Sequence, residues 1–84
     1  MATLFLVGRI RIVVYANDHP PPHAHAVNDG HARFALGETS ADVHLVESER
    51  MSRRKLRSIA EAIVAHHDEC LAFWRRIHGR WPHE

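Results

Sequence analysis

Apolar and polar positions alternate along the first half of the chain, and the period changes in the second half. Between residues 9 and 14, Arg9 and Arg11 alternate with Ile10, Ile12 and Val14, the period of two of a half-buried strand. With the preceding run Leu4-Phe5-Leu6-Val7, this predicts one strand over residues 4–15. Ile10, Ile12 and Val14 should face a core, and Arg9, Arg11, Val13 and Tyr15 should share the other face. Residues 23–27 form a second candidate strand, followed by Asn28-Asp29-Gly30, a strong hairpin signal. The third strand, 31–36, sets His31, Arg33 and Ala35 against Ala32, Phe34 and Leu36. A turn over 37–41 leads to a short fourth strand, 42–47, with Val43 and Leu45 on one side and His44 and Val46 on the other.

From residue 52 the apolar positions fall at steps of three and four. The stripe is Leu56, Ile59, Ala60, Ile63, His67, Cys70, Leu71, Trp74 and Ile77, with His66 and Phe73 at its edge. Ser52 is a suitable N-cap, Gly79 a suitable residue just past the C-terminus, and Pro82 stops any continuation. The pattern predicts a single helix over 52–78, about 40 Å long at 1.5 Å per residue. A small sheet does not cover such a length, so the last turns, with Trp74, Ile77 and Trp81, should overhang and invite a second copy or a small protein partner. Arg53, Arg54 and Lys55 oppose the helix dipole at its start, which fits a solvated face or a phosphate-contacting patch with Arg57.

The fold class that follows is α+β: a small antiparallel sheet of three to four strands with one long C-terminal helix on one face. The 84 residues suffice for a single domain, 1–84, with one modest core. A net charge of +1 gives no bulk argument for a nucleic-acid partner, although nine histidines become cationic below about pH 6.5. A lone cysteine, Cys70, excludes an internal disulfide and fits a reducing, cytoplasmic setting. The apolar run at 4–7 is too short for a signal peptide or a membrane span.

The chemistry gathers in Asp18-His19-Pro20-Pro21-Pro22-His23-Ala24-His25, an acid and three imidazoles around three prolines. Proline fixes φ and removes a donor, so the run should be an extended, stiff spacer. In an extended chain His23 and His25 leave on one face, about 7 Å apart, and Ala24 and Ala26 point to the core. Three readings follow. Asp18, His19, His23 and His25 can hold a divalent transition metal, zinc first among them. Alternatively, imidazoles of His19, His23 and His25, with His66 reaching from the helix, act as general acid and base on a phosphodiester that Arg9, Arg11 and Arg33 hold. In the third reading the rings cap backbone groups of a rigid turn, and the protein is a non-catalytic partner-binding module. His67 and Cys70 read as core residues, and Glu61, Asp68 and Glu69 as a solvated helix face.

The order strand, Asp-His-x-Pro-Pro-His-x-His, hairpin, strand and long helix ending in Trp resembles a widespread family of short bacterial proteins catalogued as a domain of unknown function. The resemblance rests on Gly8, Tyr15-Ala16-Asn17-Asp18-His19, Pro21-Pro22-His23, His25, Glu61, His66, Glu69, Leu71 and Trp74. It departs at Ala24 and Ala62, where the family carries larger residues, and at Glu49, where it tends to carry glycine. Genes of this family are often paired with another small gene in arrangements that look like toxin–antitoxin modules. The resemblance therefore implies a component of such a pair, whose His-rich turn binds a metal or a phosphate group. A small His-dependent nuclease is the alternative.

Overall fold

The computed structural model describes residues 2–78. Five strands form one antiparallel meander in sequence order: β1 (Ala2–Val7), β2 (Ile10–Val14), β3 (His23–Val27), β4 (His31–Ala35) and β5 (His44–Glu49). A short 3-10 turn, Ser40–Asp42, precedes β5, and two helices follow, α1 (Arg53–Ala65) and α2 (His67–Ile77). The class is α+β, as the periodicities imply, but two details of the expected layout are corrected.

The first correction is the strand count. The apolar positions on either side of Gly8-Arg9 belong to two strands, because Gly8 takes a φ of +62° and turns the chain back on itself. Left-handed backbone suits glycine, which has no Cβ to clash with its carbonyl. The second is the helix, which breaks at His66. That residue leaves helical geometry at φ −117° and ψ 29°, and its N–H is shared between the carbonyls of Ala62 at 3.1 Å and Ile63 at 3.2 Å. No glycine or proline lies there. Instead, the His67 ring is drawn inward, where its Nε2–H donates to the Leu36 carbonyl at 2.9 Å. The break lets α1 pack on β1 and the 3-10 turn while α2 crosses β2.

The core lies on one face of the sheet. Ile10, Ile12 and Val14 of β2 and Phe34 of β4 surround the methyl groups of Ala24, Ala26 and Ala32, and Ile59, Ile63, Cys70, Leu71 and Trp74 close over them. The strand phase read from the sequence is therefore correct, with Ala24 and Ala26 facing the helices. Ser52 caps α1 as expected, its Oγ accepting the Lys55 N–H at 3.1 Å. Trp74 is corrected: its side chain is 0 % exposed within the chain, and Ile77 is half-buried. The helix end thus lacks the overhanging Trp74 on which association was expected to rest. Trp81, Gly79 and Pro82 lie outside the described residues. Among the described residues, the exposed large apolar side chains are Leu6, Leu45, Val46 and Val64, and β5 is exposed along its whole length. Among the described residues, no helix is long and apolar enough to cross a membrane.

Candidate functional site

The β2–β3 connection is built around Asp18. The Asp18 N–H donates to the Tyr15 carbonyl at 3.1 Å, and the Tyr15 N–H donates to Asp18 Oδ2 at 3.1 Å. This reciprocal pair closes a turn of the kind Asx residues favour. The prolines that follow do not run straight: the chain bends at Pro20 and Pro21, which corrects the expected extended spacer. The bend returns the chain so that β3 brings His23 and His25 to the Asp18 carboxylate.

His25 Nε2 lies 3.2 Å from Asp18 Oδ1, and His23 Nε2 lies 3.5 Å from Asp18 Oδ2. One ligand atom from each of Asp18, His23 and His25 can be chosen so that all three lie within 4.8 Å of one another. Donors about 2.1 Å from a tetrahedral ion stand about 3.4 Å apart, so the set is close to ligating geometry. The outer nitrogens are also engaged. His23 Nδ1–H donates to the Pro21 carbonyl at 2.9 Å, and His25 Nδ1 sits 3.0 Å from His31 Nε2. Metal-bound histidines typically give their second N–H to such acceptors, which fixes ring orientation and tautomer.

The helix end completes the surroundings. Trp74 packs tilted against His23 with ring centroids 5.1 Å apart and stacks on His78 at 3.7 Å. His78 Nε2 lies 3.0 Å from the Asp18 carbonyl and its Nδ1 lies 3.0 Å from the Trp74 carbonyl. Carbonyls only accept, so a neutral His78 donates to one of them at a time and a doubly protonated ring to both. Tyr15 meets His25 edge-on at 4.7 Å.

The electrostatics favour a carboxylate beside neutral imidazole. Burial pushes the Asp18 carboxyl up, but the Tyr15 N–H and the His25 and His23 imidazoles outweigh it, leaving it below the usual 3.8. Burial holds the His25 imidazolium below the usual 6.5, against the pull of Asp18, and repulsion from His23 and His31 adds to the lowering. This is the protonation state that metal ligation requires.

Of the other residues singled out from the sequence, His19 is exposed and stands outside the three-ligand set, on the rim of an adjoining hollow. That hollow is lined by Asp18, His19, Pro20, His23, Arg33 and Val46 among others. His66 does not join the turn: it pairs with Glu69 at 2.6 Å and packs against Phe5. Arg33 lies directly opposite His25 in the β3–β4 register, whereas Arg11 is an exposed β2 residue opposite Val27 and Arg9 sits exposed in the β1–β2 turn. His31 and His78 were missed. His31 was detectable, because the Asn28-Gly30 hairpin sets Val27 opposite His31 and so places His31 diagonal to His25 on the same face. His78, 60 residues from Asp18, left no local signal.

No curated protein and no solved structure matches the chain. One family model does, over residues 9–75, a span from the β1–β2 turn to α2 that takes in every ligand candidate. The chain belongs to the family described as a domain of unknown function, DUF4160.

Proposed function

We propose that this domain is a metal-binding module in which Asp18, His23 and His25 hold one divalent transition ion and leave coordination positions open. The observation that carries the reading is the orientation of the His23 ring. Its Nδ1–H donates to the Pro21 carbonyl, which turns Nε2 toward the Asp18 carboxylate, 3.5 Å away. A cation seated between them would also engage His25 Nε2, 3.2 Å from Asp18 Oδ1. Three protein ligands with the remainder free is the arrangement of sites that bind or activate an outside ligand, and two histidines with one carboxylate suit zinc or iron(II). The test is elemental analysis of untagged protein, with zinc titration by calorimetry. One equivalent of metal per chain is expected, lost in Asp18→Asn and in His23→Ala. Absence of binding, or equal binding by those variants, would refute the reading in favour of a structural turn.

A second reading concerns partners and takes its support from β5. This edge strand is exposed throughout and carries Leu45 and Val46, while the helix face is covered. A second copy pairing edge to edge through β5 is the partner arrangement this geometry supports best. Concentration-dependent sedimentation that disappears in Val46→Lys is the expected result, and a monomer throughout would exclude it. The toxin–antitoxin role implied by the resemblance stands as part of this reading, since such a component must present a protein-binding edge.

A further inference from the structure

A hollow of about 380 Å³ opens beside the three-ligand cluster, and it has features of a binding site in its own right. Two of its walls are chemically opposed. Pro20, Pro21, Ala35 and Val46 give it an apolar side, and Arg33 gives it a cation. Val46 owes its place to an irregularity in β5. Arg33 pairs with Glu47 and Phe34 with Leu45, so Val46 is the extra residue of a β-bulge. Bulges re-aim side chains at sheet edges and beside functional sites.

Among the described residues, Arg33 makes one ion pair, to Glu47, long at 3.6 Å, with side chains 37 % and 56 % exposed. Exposed pairs of this kind are weak, so a better anion displaces Glu47 readily. Arg33 is also the cross-strand neighbour of His25, which places the guanidinium on the same sheet face as the ligand set. The fork of an arginine matches carboxylate and phosphate oxygens in pairs.

From this juxtaposition we propose that the hollow takes a small oxyanion borne on an apolar body, one oxygen on the ion held by Asp18, His23 and His25 and the others on Arg33. The proposal rests on the metal-binding reading above. It narrows the phosphate contacts expected of Arg9, Arg11 and Arg33 to Arg33 alone.

Calorimetry separates the two. Zinc is titrated first into the wild-type protein, and failure at this step counts against the metal reading itself. Phenyl phosphate and benzoate are then titrated into the zinc-loaded and the metal-free protein, beside a short single-stranded oligoribonucleotide. At least one of the two small anions should bind the zinc-loaded form at least tenfold more tightly than the metal-free form. Arg33→Gln should weaken that binding about tenfold with zinc affinity unchanged, and Arg33→Lys should restore part of it. Glu47→Gln, which removes the competing carboxylate, should strengthen it severalfold. Normal zinc binding with no uptake of either small anion would overturn the proposal. So would equal uptake without metal, an unaffected Arg33→Gln variant, or binding of the oligoribonucleotide alone.

Discussion

Two buried histidines sit on opposite sides of this sheet and have opposite characters. His67, 5 % exposed, lies in the apolar layer under the helices and makes one strong bond, donating to the Leu36 carbonyl. His25, 9 % exposed, lies at the end of the other face with a carboxylate on one nitrogen and a second imidazole on the other. Burial alone therefore does not mark a functional histidine. His67 pins a helix break to the end of a strand through the Leu36 carbonyl. His25 is held below the usual 6.5 chiefly by burial, and its Nε2 stands with Asp18 and His23 in a cluster whose ligand atoms lie within 4.8 Å of one another.

Deleting each ring in turn should separate the two histidines. His25→Ala should lower zinc affinity at least a thousandfold, about 4 kcal/mol on the affinity scale, while urea unfolding of the metal-free protein shifts much less. His67→Ala should do the reverse. It leaves a cavity and an orphaned Leu36 carbonyl, so unfolding should become easier by about 2–4 kcal/mol with zinc affinity unchanged. If both variants lost stability equally and neither changed zinc binding, the two histidines would be the same kind of residue.

A smaller effect is expected at His31, which meets the Asp18–His23–His25 cluster through His25 Nδ1. Loss of an outer partner of this kind typically reduces metal affinity about 10–100-fold, so His31→Ala should fall in that range in a zinc competition assay. His31→Gln, which keeps a hydrogen-bonding group at that position, should recover part of it.

Acidity sharpens the same contrast. The folded state lowers the affinity of His25 for protons, so the unfolded chain binds more of them between its folded value and 6.5. The contribution of His25 to the stability of the metal-free protein is thus full above pH 6.5 and lost as pH falls. Asp18 acts in the same direction, its contribution present above 3.8 and lost below. Chemical denaturation between pH 4 and 8 should show stability rising with pH, with a shallower rise in His25→Gln. The smallest expected effect is at Cys70, whose thiol burial pushes up to about 11, with a further push from Glu69. A thiol reagent at pH 8 should label it only under denaturing conditions, as befits the closed helix side.

Much of this was legible because strands reveal their faces. The alternation of Ala24 and Ala26 with His23 and His25 set the phase of β3 correctly, and Asn28-Asp29-Gly30 marked the hairpin that brings Arg33 opposite His25. The apolar stripe named the buried helix positions Ile59, Ile63, His67, Cys70, Leu71 and Trp74. The break at His66 was hidden because no residue there disfavours a helix; a tertiary bond from His67 to a distant carbonyl decides it. The β1–β2 turn was hidden because Gly8-Arg9 is only two residues long and apolar runs lie on both sides of it. His19 misled in the other direction: next to Asp18 in sequence, it faces solvent, since neighbours in a turn diverge.

The strand order of the sheet is the order of synthesis, and this bears on how the site comes into being. Asp18, His23, His25 and His31 all lie within two consecutive hairpins, so they are gathered by closing short loops. Local closures of this kind cost little chain entropy and favour rapid folding. His78 and Trp74 come from the far end of the chain and pack onto a turn whose Asp18, His23 and His25 are brought together by neighbouring strands. An ion captured early by the β2–β4 hairpins would thus template the docking of the last helix.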